Sequence, residues 1–336
     1  MRDLAENYKN SIAVAKMYYY QGLTTEKIAD ELKISRPTIS RLLSFAREKG
    51  LVEITVHDSS EYLNTLELEL KEKYGIENVH IVSVPEASGE QAWLHRVASF
   101  AANYLNSIVD DNQILGLSWG GTLSTVGRYL VPKALKDFDI VQLNGTGNAR
   151  TINNTFANEI VLRFADNYSA RANLFPVPTL FDFEQTKQAM WRERSIRRVL
   201  DLQQKADILL YSIGAIENGT PGLVLSENYF GPRDFREVKK RKIVGDIATV
   251  FFCENGSYEG ISLNKRSSGP DLSLFKKVAH SICVVSGRSK ALALRSALAA
   301  RYMHDLIVDE PTARLVMKSG MKSPLSSRLR KRSGHG

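Results

Sequence analysis

The 336-residue chain has only two cysteines, Cys253 and Cys283. Both lie inside apolar runs (Ile247–Cys253 and Ser281–Ser286) and read as small buried side chains rather than a disulfide. Its six histidines include no pair at i,i+4, so the spacing of a structural zinc site is missing and no metal is expected. No apolar run approaches the roughly 20 residues of a membrane span. The opening Met1–Asn7 lacks the apolar core of a secretory signal, so a cytoplasmic protein without a membrane partner is expected. Nor does any set of residues assemble a convincing general acid and base, so neither catalytic residues nor a cofactor are expected.

What is present is ordinary globular composition, 43% hydrophobic and 24% charged, with a net charge of +8. The charge points to polyanions, but its distribution weakens that inference. Residues 318–336 carry Lys318, Lys322, Arg328, Arg330, Lys331 and Arg332 with no acid, which leaves only +2 for the rest. This basic, Ser-rich tail is expected to be disordered.

The first 50 residues read as three helices. Ser11–Tyr20 ends at Gly22; Thr24 or Thr25 caps a second helix through Leu32; Ser35 caps a third, with Pro37 in its first turn and Gly50 beyond its end. Ala29 is small where two helices would cross, and Ile28, Leu32, Ile34, Ile39 and Leu42 recur at the spacing of a helix-turn-helix core. The turn residue is Lys33 rather than Gly, a departure at modest cost because a left-handed backbone disfavours a side chain. The exposed face then offers Ser35, Arg36, Pro37, Thr38, Ser40 and Arg41, with Thr25 at the start of the helix before. Five cations stand against one acid between Lys33 and Lys49, whereas residues 1–32 are net negative. A solvated basic face on a packing unit is the plain alternative; the joint spacing, polarity and charge favour a DNA-contacting helix. A short strand, Val52–Val56, is expected next.

Residues 58–75 form a charged amphipathic helix expected as a connector, its Leu63, Leu66, Leu70 and Tyr74 stripe packing on its own domain or on a second copy. From Val79 onward short apolar strands alternate with helices, as in a parallel sheet covered on both faces. The expected organisation is a helix-turn-helix domain at 1–57, the connector at 58–75, an effector and oligomerisation domain at 76–317 and the tail at 318–336. The fold class is thus an all-α N-terminal domain plus a Rossmann-like α/β domain with a mostly parallel sheet.

Three glycine turns follow expected strands. After Ile114–Ser118 comes Trp119-Gly120-Gly121-Thr122 and a helix: glycines let a ligand approach, helix N–H groups face it, and Ser118 and Thr122 add hydroxyls. That combination suits phosphate, or merely a packed strand–helix turn. Gly116–Gly120 also matches the G-x-S-x-G elbow of hydrolases, but neither His280 nor His304 has a supporting context. Asn144 and Gly145 open the second turn, a candidate pocket wall. Gly287–Lys290 is the third; Lys290 could reach an anion or be an ordinary exposed lysine. Asp246 could accept sugar hydroxyls or cap a turn.

Taken together, Ser35–Arg41, Gly116–Leu123, Ala206–Gly214, Gly245–Ile247 and Gly287–Ala313 give the chain a resemblance to the SorC family, which includes deoxyribonucleoside and central glycolytic regulators. The resemblance spans roughly residues 10–317. It implies a domain similar to glucosamine-6-phosphate deaminase and ribose-5-phosphate isomerase, serving as a sensor. It also implies that the Ser118–Thr122 turn and Lys290 hold phosphate, and that dimers or tetramers bind operator DNA. The Asn144–Asn148 loop departs from the basic or differently glycine-rich loop usual in the family. The expected function is a transcription regulator controlled by a sugar phosphate or polyol-derived effector; a sugar-phosphate isomerase or deaminase with an added helical N-terminus is the alternative.

Overall fold

The computed structural model describes residues 2–52, 60–146, 153–217, 220–221 and 230–318. The expected strand after Val52 and the basic tail beyond Lys318 lie outside the described residues. The chain divides into two compact units, Met1–Ser59 and Ser60–Gly336.

The first unit has helices α1 (Arg2–Ala15, running on as a π-helical turn to Tyr20), α2 (Thr25–Leu32) and α3 (Arg36–Glu48). The first helix thus begins well before Ser11. Val14, Ala15, Ile28, Ala29, Ile39, Leu42, Leu43 and Ala46 form its core. Leu32 and Ile34, expected in that core, flank the turn instead and are 40% and 37% exposed. The core closes without them because α1 packs along α3 and supplies Val14 and Ala15. The turn between α2 and α3 does place Lys33 in the left-handed region, at φ 54°.

The second unit opens with α4 (Ser60–Tyr74), which seats Leu66, Leu70 and Tyr74 in the main core. Then follow β1 (Asn78–Val82), α5 (Gly89–Ile108), β2 (Ile114–Leu117), α6 (Gly121–Gly127), β3 (Asp139–Gln142), α7 (Asn153–Tyr168) and β4 (Arg171–Asn173). Next come α8 (Glu184–Met190), α9 (Arg194–Gln204), β5 (Ile208–Tyr211), β6 (Ile213–Glu217) and β7 (Thr220–Pro221). The chain continues through α10 (Pro232–Arg241), β8 (Ile243–Ile247), β9 (Val250–Cys253), α11 (Ser262–Arg266) and α12 (Ser273–Lys277). It closes with β10 (His280–Val285), α13 (Ala291–Ala299), β11 (Asp305–Asp309) and α14 (Glu310–Lys318).

Seven strands make an all-parallel sheet in the order β1-β11-β10-β5-β2-β3-β4. Alternate residues serve its two faces, as the two-residue period of a strand requires. Leu209, Tyr211, Cys283, Val285, Leu306 and Val308 face the core that holds α4 and α13. Ile208, Leu210, Ile282, Val284 and Ile307 face the one that holds α5, α6 and α7. Burial on both sides is why these strands are continuously apolar. The chain leaves β2 toward β3 on one side and leaves β5 toward β10 on the other, so the topological switch point lies between β2 and β5. That is where an open α/β sheet takes its ligands.

A second sheet, β7-β6-β8-β9, is antiparallel. Ala248–Cys253, which the strand–helix alternation reads as one more strand of the parallel sheet, belongs instead to this hairpin. The hairpin turn is Ala248-Thr249, with φ of 46° and 67°. Two consecutive positive φ values are normally filled by Asn-Gly, so an Ala-Thr pair there is strained.

Candidate functional site

In the first unit, Ser35 caps α3: its hydroxyl accepts from the Thr38 N–H at 3.3 Å and lies 2.8 Å from the Thr38 hydroxyl. Thr24 caps α2 by accepting from Lys27 N–H, which leaves Thr25 as the first residue inside the helix. Arg36, Pro37, Ser40 and Arg41 are exposed, and Thr25 and Thr38 half-buried. Arg41 folds back, Nε donating to the Pro37 carbonyl at 3.4 Å. Arg36 is paired with Glu26 of α2 at 3.2 Å, both side chains more than 60% exposed. Such a pair is weak and can be exchanged for a phosphate.

In the second unit the turns after β2, β5 and β10 converge beside the switch point. Lys290, half-buried, donates to the Thr122 hydroxyl and to the Ser212 hydroxyl, each at 3.3 Å. Burial lowers its pKa, against the pull of Cys283, Asp246, Asp309 and Glu90. Among the described residues no carboxylate comes within ion-pair distance of it. Gly120 and Gly121 face open space, so the start of α6 is unobstructed in front of this cation. Ser118 itself is buried.

Asp246 lies within electrostatic reach of Lys290. Burial pushes its carboxyl up to about 6, opposed by the Thr249 N–H, which donates to it at 2.9 Å, and by the Lys290 charge. It can stand there only because residue 214 is glycine: a Cβ would fall 2.0 Å from Asp246 Oδ1. Thr249 locks the strained turn, its hydroxyl donating to the Ala248 carbonyl, while Ser267 donates to the Thr249 carbonyl.

The turn after β3 behaves differently. Gly145 donates its N–H to Ser268 at 2.8 Å, and its carbonyl accepts from Trp119 Nε1 and the Thr179 hydroxyl, both at 2.9 Å. Its backbone is thus fully engaged by protein. Asn144 beside it is buried, and its side-chain oxygen has no hydrogen-bond partner. The loop beyond Thr146 lies outside the described residues.

Three contributors were missed in the sequence. Ser212 follows β5 as Ser118 follows β2, and its position just past a strand end was the available signal. Glu90 accepts from the Arg288 N–H at 3.0 Å, and Asp309 accepts from the Gly287 N–H at 2.9 Å. Nothing local marks these two as supports of the Lys290 turn. The hydrolase motif fails on geometry: Ser118 follows the carboxyl end of β2, whereas His280 opens β10 and His304 precedes β11, at the amino ends of parallel strands.

The comparisons fit this architecture. The family model described as "Putative sugar-binding domain" matches residues 59–318, and sigma-70 region 4 matches residues 13–49. The chain is 33% identical to the deoxyribonucleoside regulator of Bacillus subtilis over 314 residues, covering 93% of this chain and 98% of that one. It is 25% identical to the sorbitol operon regulator of Klebsiella pneumoniae, over 91% of this chain and 97% of that one. A domain of a possible sugar-binding transcriptional regulator from Arthrobacter aurescens is 41% identical at a TM-score of 0.72, covering 79% of this chain and all of that one. The full-length sorbitol operon regulator SorC of Klebsiella pneumoniae shares the fold at a TM-score of 0.71 over 93% of this chain and 99% of that one, at 23% identity. Among the described residues no helix is long and apolar enough to cross a membrane. The chain belongs to the SorC family of transcriptional regulators, with a DNA-binding helix-turn-helix followed by a sugar-binding domain.

Proposed function

We propose that the effector is a sugar phosphate or a polyol derivative, seated by Thr122, Ser212 and Lys290, with Asp246 accepting its hydroxyls. The carrying observation is the Lys290 ammonium: half-buried, shared between two hydroxyls, with no carboxylate within ion-pair distance among the described residues, and in front of an open glycine turn. An anion there would gain a cation, two hydroxyl donors and free N–H groups at a helix start. Asn144 and Gly145 form the wall of the site. The Gly145 backbone acts as a support in this reading, while the Asn144 side-chain oxygen has hydrogen-bonding capacity to spare. The deoxyribonucleoside regulator and the sorbitol operon regulator are named for a sugar derivative and a polyol, which supports this class.

The protein works in the cytoplasm as a homodimer or homotetramer, with Arg36 and Arg41 facing operator DNA. The effector shifts operator affinity by binding one conformation of the assembly better than another. The sensor reading is favoured over an isomerase or deaminase because the relatives that match nearly the whole chain are regulators.

A thermal-shift screen of sugar phosphates and the matching unphosphorylated polyols tests this. A true effector at a hundredfold excess over its Kd should stabilise the chain by about 2.7 kcal/mol. Lys290→Ala should abolish that shift and the change in DNA affinity while leaving basal DNA binding intact. A full shift retained in Lys290→Ala would remove Lys290 from the site.

A further inference from the structure

Away from the effector turns, an open cleft of about 620 Å³ runs between the edge strand β4 and α9. Its walls carry Arg171 from β4, Arg194, Arg197 and Arg198 from α9, and Lys205 just after it. Arg171 is spent: it holds Asp139 with two bonds, at 3.1 and 2.7 Å, and Asp137 with a third at 3.1 Å. Asn173 also donates to Asp139 at 3.0 Å. The other four cations are exposed and make no ion pair among the described residues; of the two lining acids, Asp139 is already held by Arg171 and feels Arg198 only at longer range, and Asp201 is the other.

We propose that this α9 face is a second DNA-contact surface, holding phosphodiester groups that the helix-turn-helix does not reach. Three observations choose DNA over a small anion. Small-ligand sites are enclosed and mostly apolar, whereas this cleft is open and seven of its nine lining residues are charged. Its cations are solvated, which suits a polyanion bound through counterion release rather than a desolvated pocket. They also extend from Arg194 to Lys205, about 16 Å along the helix at 1.5 Å per residue. That length matches about five base-pair steps of 3.4 Å. DNA is already a partner of this chain through its helix-turn-helix, so the polyanion is at hand.

The test uses the full-length chain, tail included, and a labelled duplex of about 60 base pairs of arbitrary sequence, long enough to engage several phosphate-contact surfaces at once. The triple variant Arg194→Gln, Arg197→Gln, Arg198→Gln changes only exposed side chains. It should bind more weakly, and the slope of log K against log salt should become shallower by about 2 to 3, since each lost phosphate contact removes about 0.9. Asp201→Lys should shift the affinity the other way. Unchanged slope and affinity in both variants would overturn the proposal. So would a triple variant that keeps the DNA slope but loses a thermal shift given by inorganic pyrophosphate, because the cleft would then be a small-anion site. Arg41→Ala, measured alongside, reports on the helix-turn-helix separately.

Discussion

The indole N–H of Trp119 donates to the carbonyl of Gly145 at 2.9 Å, tying the turn after β2 to the turn after β3. The first of these turns carries Gly120, Gly121 and Thr122. The second is pinned from behind by Thr179 and Ser268. The cradle in front of Lys290 is therefore held in place by a buried peptide group rather than by its own short helix.

Gly145→Ala should break this brace. The new Cβ would lie 2.2 Å from the Val177 carbonyl oxygen and 2.6 Å from that of Pro178, both backbone atoms that cannot swing aside. Overpacking of this kind costs about 1–3 kcal/mol, and the lost hydrogen bonds would add to it. Urea unfolding should show a lowered midpoint with little change in slope. A midpoint equal to wild type would mean that the turn relaxes freely and gives the cradle no support.

The Arg36–Glu26 pair makes a second prediction, this one for DNA. Glu26 both occupies the Arg36 guanidinium and places an acid beside the helix expected to meet DNA phosphates. Glu26→Gln should therefore tighten binding to any duplex, while Arg36→Ala and Arg41→Ala weaken it. An exposed pair is worth at most about 1 kcal/mol, so the gain from Glu26→Gln should stay within about fivefold. Titrations by fluorescence anisotropy at low salt would read it. Weaker binding by Glu26→Gln would show that the carboxylate instead holds Arg36 in its DNA-contacting pose.

Much of this architecture was legible because the parallel strands are buried on both faces. Runs such as Ile208–Tyr211 and Ile282–Val285 have no polar interruption, and glycine turns follow β2, β3 and β10. The antiparallel sheet was hidden for the converse reason. β8 reads Ile-Val-Gly-Asp-Ile, and its glycine and aspartate look like a loop until β6 and β9 are seen beside it. The Ala248-Thr249 turn carries no turn signature, since its positive φ values are imposed by the bonds of Thr249, Asp246 and Ser267. The site was half visible. Thr122 and Lys290 announce themselves by local pattern, but Ser212 joins them only through strand order, which a linear sequence does not display.

Asp246 supplies a prediction with a definite pH sign. In the unfolded chain its carboxyl titrates near 3.9, while in the fold burial raises it to about 6. Between those values the folded protein keeps a proton that the unfolded chain has released. Its contribution to stability therefore declines as pH rises from about 4 to about 6, and the full cost of the buried charge is present above that. Asp246→Asn preserves an oxygen for the Thr249 N–H but cannot ionise. The melting temperature of the variant relative to wild type should climb across this window and level off above it. Effector affinity should move in the opposite direction, because only the ionised carboxylate is a full acceptor for ligand hydroxyls and a partner for the Lys290 charge. Scanning calorimetry from pH 4 to pH 8, with and without the effector, separates the two effects. A variant-minus-wild-type difference that stays flat with pH would mean that Asp246 titrates as an ordinary solvated carboxylate.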